Sequence, residues 1–161
     1  MDEILEILAN DARVTPEEIA KLTRKPVTAV KQVISKYEKD GVIVKYKAVI
    51  NHDLAKAADS QVRALIEVSI EPQKDVGFDH IAERIYSFPE VTSCYLISGA
   101  YDLLVIVEGA TLQTVSNFIA SKLAPLPNIR GTTTHFLLKK YKEDGHVFTK
   151  NNRAKRLSIS Y

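Results

Sequence analysis

Thr15-Pro16-Glu17-Glu18-Ile19-Ala20-Lys21-Leu22-Thr23-Arg24-Lys25-Pro26, running on through Val27-Thr28-Ala29-Val30-Lys31-Gln32-Val33-Ile34-Ser35-Lys36-Tyr37-Glu38-Lys39-Asp40-Gly41, decides how the N-terminal third of the chain is read. Thr15 can accept from the amides of a first helical turn, Pro16 sits where a missing N–H costs nothing, and Glu18 completes a Thr-x-x-Glu capping box. The helix that starts there turns Ile19, Ala20 and Leu22 inward. Thr23-Arg24-Lys25 then interrupts the pattern, which predicts a tight turn before Pro26 opens a third helix to about Lys39. Val27, Val30, Ile34 and Tyr37, at spacings of three and four, form its buried face, and Gly41 supplies a left-handed cap. Upstream, Ile4, Leu5, Ile7 and Leu8 make a short first helix ended by Asn10-Asp11-Ala12-Arg13.

The other face of the third helix carries Thr28, Lys31, Gln32, Ser35, Lys36 and Lys39. Cations alone hold phosphates, whereas Thr, Gln and Lys can also read base edges in a major groove. The net charge of the 161 residues is only +2, but Lys21 to Lys47 holds eight bases against two acids, net +6, and the twenty residues before it hold six acids and one Arg. Such concentration suits a surface that faces phosphates. Val42-Ile43-Val44 and Ala48-Val49-Ile50 flank Lys45-Tyr46-Lys47, predicting a small two-stranded wing or its equivalent with Lys45 and Lys47 at its tip. The expected partner is double-stranded DNA, contacted by Lys25, Thr28, Lys31, Gln32, Ser35, Lys36, Lys39, Lys45 and Lys47. Three short helices also occur in protein-interaction modules, so the basic, polar third helix carries this reading.

Composition narrows the remaining classes. With 45% apolar and 26% charged residues the chain can bury an ordinary core. Its longest apolar run, Leu103 to Val107, is far below the roughly 20 residues of a bilayer span, and the N-terminus is acidic. We therefore expect a cytoplasmic protein with no membrane partner. The single cysteine, Cys94, falls in a predicted strand and is expected to be buried and inert. His52, His80, His135 and His146 show no ligand spacing, so no metal, cofactor or catalytic group is expected.

The last two thirds contain a repeat. Ala64, Ile66, Val68 and Ile70 alternate with Arg63, Glu67, Ser69 and Glu71 as in a half-buried strand, Phe78, Ile81, Ala82, Ile85 and Phe88 follow helical spacing, and Val91 to Ile97 returns as a strand. A shift of 38 positions lays this unit on the next, Ile66 on Leu104, Val68 on Ile106, Ile81 on Ile119, Ile85 on Leu123, and Phe88-Pro89-Glu90-Val91 on Leu126-Pro127-Asn128-Ile129. Two such units predict a ferredoxin-like βαββαβ domain, a four-stranded antiparallel sheet with both helices on one face. Apolar residues on both sheet faces predict that the open face packs on a second copy. Ser98-Gly99-Ala100-Tyr101-Asp102 joins the units as a hairpin loop in which Gly99 can take a positive φ.

These motifs together resemble the Lrp/AsnC family of feast/famine regulators along nearly the full length to about Lys142. The resemblance lies in Asp2-Glu3-Ile4-Leu5, Asn10 to Thr15, Glu18-Ile19-Ala20, Tyr37 to Ile43, Gly99-Ala100-Tyr101-Asp102, Leu126-Pro127-Asn128-Ile129 and Thr132-Thr133-Thr134. It implies an N-terminal winged helix-turn-helix (1–51), a linker (52–61), a ferredoxin-like, RAM-type effector and oligomerisation domain (62–140) and a basic tail (141–161). It further implies sequence-specific transcription regulation by a homodimer that can grow to a tetramer or octamer. An amino acid or related metabolite is the implied effector, lined by Gly99, Tyr101, Asp102, Thr132 and Thr134. A loop that only makes an assembly contact is the alternative for those residues. The chain departs from the family where Arg24-Lys25-Pro26 replaces a usual Gly and where Val33 stands for a common Arg. Two other functions share features with this reading: tetrapyrrole (siroheme-type) decarboxylases have the same two-domain architecture, and a low-specificity DNA-organising protein would also carry a basic helix.

Overall fold

Asp2 starts the first helix by accepting the Ile4 amide at 2.8 Å, and with the same carboxylate it receives the Tyr37 hydroxyl at 2.9 Å from the third helix. These contacts belong to a computed structural model that describes residues 2–51, 61–71 and 77–148. The chain divides into two compact units, Met1–Ile50 and Asn51–Tyr161.

The first unit holds α1 (Glu3–Asn10), α2 (Pro16–Thr23) and α3 (Val27–Lys39). The capping box at α2 forms as read: Thr15 Oγ1 accepts the Glu18 amide at 3.3 Å and the Thr15 amide donates to Glu18 Oε2 at 2.8 Å. Ile4, Leu8, Ile19, Ala20 and Val30 are buried together, with Ile7, Val14, Val27, Val33, Ile34 and Ile43 packed partly buried around them. At about 1.5–3 kcal/mol for each large aliphatic side chain, this cluster is what keeps three short helices together. Gly41 adopts φ +70° after α3, as its cap role requires.

Two expectations for this unit are corrected. Leu22 does not turn inward. It is 64% exposed and lines a surface recess with Asp11, Arg13, Val14, Glu18 and Lys21, because no element of the unit covers that side of α2. The turn between α2 and α3 falls where Thr23-Arg24-Lys25 places it, with Arg24 in the left-handed region, φ +53° and ψ +34°, a conformation that glycine adopts without strain. The wing segment is not two-stranded: Val42 to Ile50 continues past α3 without joining a ladder, so it stands as the equivalent of a wing rather than a hairpin. Lys45-Tyr46-Lys47 contains no residue suited to the positive φ angles of a tight hairpin turn, and Tyr46 instead donates to Glu38 Oε1 at 3.0 Å.

The second unit runs β1 (Val62–Ile70), α4 (Phe78–Tyr86), β2 (Val91–Leu96), β3 (Leu103–Gly109), α5 (Leu112–Phe118) with a π-helical turn (Ile119–Leu123), and β4 (Ile129–Phe136). Its antiparallel sheet has the order β2-β3-β1-β4. Ile81, Ile85, Val115, Phe118 and Leu123 from the helices share one core with Ala64, Ile66, Val68, Ile70, Leu103, Val105 and Val107, so both helices cover the same face. Gly109 lets α5 approach; a Cβ there would lie 2.9 Å from Val115 Cγ2. The other face presents Leu65, Leu104 and Ile106, half-buried, beside Tyr95, Thr133 and His135.

The repeat is real, but its offset changes part-way. The ladders place Ile66, Val68 and Ile70 in the roles of Leu103, Val105 and Val107, a shift of 37, whereas Val91 corresponds to Ile129, a shift of 38. The uniform shift of 38 therefore put β3 one residue out, with its buried and open faces exchanged. Leu103 to Val107 is apolar at every position, so alternation could not reveal the phase. The extra residue sits in the π-helical turn: the buried pair Ile81 and Ile85 is four apart, while Phe118 and Leu123 are five apart, and the Ala124 amide donates to the Ile119 carbonyl at 2.8 Å. A bulge at Thr92 in β2 recurs at Arg130 in β4, in agreement with the 38 shift after the helices.

Beyond β4, the stretch read as the start of a tail folds into a hairpin, β5 (Lys142–Glu143) and β6 (His146–Val147), turned by Asp144 and Gly145 at φ +47° and +80°. Arg63 ties it to the sheet by donating to Glu143 Oε1 at 2.6 Å and Glu108 Oε1 at 2.7 Å. Lys150, Arg153, Lys155 and Arg156 lie outside the described residues, as do His52 and most of the linker.

Candidate nucleic-acid interface and effector pocket

α3 is about 20 Å long at 1.5 Å per residue, and its two faces separate cleanly. Val27, Val30, Val33 and Ile34 lie in or against the core and Ala29 and Tyr37 are half-buried, while Thr28, Lys31, Gln32, Ser35, Lys36 and Lys39 are all exposed on one continuous surface. The bond from Tyr37 to Asp2 fixes the roll of the helix against α1, so the polar face is presented at a defined angle. That bond pushes the Tyr37 hydroxyl pKa up and, second to the Ile4 amide, draws the Asp2 carboxyl down. Lys25 is exposed in the turn that precedes the helix, and Lys45 and Lys47 are exposed beyond its end. Val33, one of the departures noted from the resemblance, is half-buried against the core and takes no part in the exposed face.

One contact on this surface escaped the sequence reading. Lys31 Nζ lies 2.7 Å from Glu17 Oε1, joining the start of α2 to the exposed face of α3. The bond from Lys31 holds the Glu17 carboxyl below its ordinary value. The two residues are fourteen positions apart, and only the angle of the turn brings them together, so helical spacing carries no sign of it. Lys36 and Lys39 have no acidic partner among the described residues.

The residues assigned to an effector gather at one end of the sheet but do not form one cluster within a single chain. Asp102 donates its amide to the Val68 carbonyl at 3.0 Å and accepts the Ile97 amide at 2.8 Å, while its Oδ2 accepts the Ile70 amide at 2.7 Å. It thus closes both the β2–β3 hairpin and the β1–β3 ladder. Thr132 and Thr134 pair with Val68 and Ile66 from the opposite side of β1. They share the helix-covered side with those residues and remain half-buried. With strands about 4.8 Å apart, Asp102 and Thr132 lie roughly 10 Å from each other across β1. Tyr101 is half-buried in the loop and Gly99 is exposed. Gly99 does not take the positive φ expected of it; a Cβ there would meet only Ile97 Cγ2, at an ordinary 3.7 Å.

Other chemistry-bearing residues stay apart. Cys94 is half-buried against the core rather than fully enclosed, and burial pushes its thiol pKa up. His135 meets Glu67 at 3.1 Å on the open sheet face, and His80 and His146 are exposed. Among the described residues, no group of His, Cys, Asp and Glu could hold a metal ion, and no helix is long and apolar enough to cross a membrane.

Comparison with known proteins completes the picture. The family pattern for the Lrp/AsnC ligand binding domain matches residues 63–147, and that for a winged helix-turn-helix DNA-binding domain matches residues 3–44. The chain belongs to the Lrp/AsnC family. Within it, a Bacillus subtilis protein described as an uncharacterized HTH-type transcriptional regulator is 46% identical over 158 residues, covering 98% of this chain and 95% of that one. The leucine response regulatory protein of Mycobacterium tuberculosis has the same fold, with a TM-score of 0.72 at 24% identity over 91% of this chain and 96% of that one. A Neisseria meningitidis transcriptional regulator solved as an L-methionine complex gives 0.68 at 23% identity over 88% and 89%. The protein is an Lrp/AsnC-type DNA-binding transcriptional regulator with a ligand-binding domain. The family pattern runs past β4 to include the hairpin β5–β6, which agrees with its anchorage through Arg63.

Proposed function

We propose that the protein is a cytoplasmic, site-specific regulator that reads operator DNA with α3 and binds an amino acid in its second domain, binding rather than catalysis being its task. The observation that carries this is the exposed face of α3, where Thr28, Gln32 and Ser35 interleave with Lys31, Lys36 and Lys39 on a helix whose roll is fixed. Lys25, Lys45 and Lys47 supply phosphate contacts on either side. Hydrogen-bonding groups set between cations are what base readout needs in addition to phosphate attraction.

The effector reading rests on the loop from Gly99 to Asp102 with Thr132 and Thr134 at the same sheet end. Threonine hydroxyls and turn amides suit an α-carboxylate, and Asp102 suits an α-ammonium group. The Neisseria relative's L-methionine complex supports an amino acid as the class. Because Asp102 and the threonines are separated by β1, a second subunit is the natural source of the remaining walls. Leu65, Leu104 and Ile106 lie on the opposite, open sheet face and supply an apolar surface for a homodimer, whereas Thr132 and Thr134 face the helix-covered side, so the subunit that completes the pocket belongs to a neighbouring dimer in a tetramer or octamer.

Footprinting on the protein's own promoter region, with and without each of the twenty amino acids, tests the proposal. A discrete protected site whose affinity changes with one amino acid is expected. Uniform protection would favour a low-specificity DNA organiser. A melting temperature unmoved by every amino acid would remove the effector assignment, since a ligand bound only by the folded state must raise stability.

A further inference from the structure

We infer that Glu17 sets the DNA discrimination of this regulator by engaging Lys31, so that this cation serves a matched base edge and not an arbitrary phosphate. The inference rests on the reading of α3 as the DNA-contacting helix and concerns a residue outside that set. The pair spans α2 and α3 at 2.7 Å with both side chains more than half exposed, 56% for Lys31 and 52% for Glu17. Such an exposed pair contributes little to folding. Its importance is in the charge presented to DNA. Glu17 and Lys31 together are neutral, and a phosphate that attracts Lys31 must also tolerate Glu17 beside it.

Lys36 and Lys39 are exposed and form no ion pair among the described residues, so they are free to bind any phosphate. Lys31 differs. A phosphate drawn to Lys31 is repelled by the Glu17 carboxylate beside it and gains little net, whereas an uncharged base edge is not repelled and can accept one of the N–H groups that the carboxylate leaves free. A guanine O6 and N7 pair aligned with α3 offers two acceptors, along with the neighbouring contacts of Thr28 and Gln32. The carboxylate thus removes one cation from binding to arbitrary sequence and leaves it available at a matched site. Glu17 sits in the first turn of α2, where a negative charge is also favourable to the helix. The capping box there depends on Thr15 and Glu18, so a neutral residue at Glu17 leaves the start of α2 intact.

The test compares the full-length wild type with Glu17→Gln on two duplexes, one selected by the protein from a random pool and one with the same bases scrambled, across a range of salt. Glu17→Gln is expected to bind the scrambled duplex more tightly, with a log–log salt slope steeper by about 0.9, equivalent to about a three- to fourfold larger change between 50 and 200 mM salt. The selected duplex should gain less, so the ratio of the two affinities falls. Adding Lys31→Ala to Glu17→Gln should return the slope on scrambled DNA to the wild-type value. Unchanged slope and affinity on the scrambled duplex, in a variant that melts like wild type, would overturn the inference. So would equal gains on both duplexes. Failure of the underlying reading gives a different result: Lys36→Ala, measured alongside, would then leave binding to both duplexes unaltered.

Discussion

Replacing Asp102 separates its structural duty from its proposed role in effector binding, because two substitutions divide the two functions. Its Oδ2 accepts the Ile70 amide at 2.7 Å in a partly buried position, and its backbone bonds to Val68 and Ile97 survive any side-chain change. Asp102→Ala leaves the Ile70 amide without that acceptor. The desolvation cost of an unpaired buried donor is about 1–3 kcal/mol, and partial burial puts the expected loss near the lower end, about 1–1.5 kcal/mol. For a domain of about 100 residues this lowers Tm by roughly 5–10 °C. Asp102→Asn keeps an oxygen for the Ile70 amide and tolerates the same turn angles, so its melting temperature should stay within about 2 °C of wild type. Its charge is gone, however. If the carboxylate pairs with the ammonium group of an amino acid, the Asn variant should lose about 1.5–3 kcal/mol of ligand affinity, a ten- to hundredfold weaker Kd. Differential scanning calorimetry of the ligand-free proteins and titration calorimetry with the amino acid found by screening give both numbers. Equal ligand affinity in Asp102→Asn and wild type would refute the effector role and leave Asp102 as a fastener of the ladder. A strongly destabilised Asn variant would refute the account of its hydrogen bond.

Arg24→Gly should stabilise the DNA-binding unit by about 1 kcal/mol by relieving a left-handed non-glycine residue, read as a higher denaturation midpoint; an unchanged midpoint would mean that Arg24 makes compensating contacts. The hairpin β5–β6 should loosen in acid. Lys140 first, and then Arg63, hold the Glu143 carboxyl below its ordinary value of 4.5. A depressed pKa makes this contribution present above the unfolded value and lost as pH falls through the folded one, so amide protection at Lys142 to Val147 should fall below about pH 4.5, and sooner in Arg63→Ala. Gln32→Ala should reduce discrimination between operator and scrambled DNA, whereas Lys36→Ala should weaken both equally and flatten the salt slope by about one unit; identical behaviour of the two variants would argue against groove reading by α3. The fragment from Gln61 to Tyr161 should fold and dimerise without binding DNA, and light scattering that reports a monomer would show that the open sheet face is not the interface.

Much of the fold is legible because its signals are local. The capping box at Thr15, the cap at Gly41 and the buried face of α3 depend on neighbours within a turn or two, and each forms as spelled. What the sequence conceals depends on angle or phase. Leu22 follows the same spacing as Ile19, yet nothing packs over it. The strand β3 is apolar at consecutive positions, so either face could be the buried one. The candidate sites divide in the same way. The exposed set on α3 follows from helical spacing alone, whereas the partner of Lys31 requires the turn angle, and the bond of Asp102 to Ile70 requires the register of β1 against β3. Gly99 misleads for a related reason, since a glycine in a loop signals tolerance for positive φ without requiring it.

The π-helical turn at Ile119–Leu123 shows where this domain can change length. One additional residue in β3 or β1 would rotate every later side chain of that strand to the opposite face and empty the core. The same residue in the helix widens a single turn, and strand β4 still arrives with its bulge at Arg130 in step with Thr92. The two halves can therefore drift apart in sequence length at the helices while their strands stay locked in register. Segments exchanged between the halves will fit when cut within the strands on one side of that turn, and will be out of phase by one residue when the cut spans it.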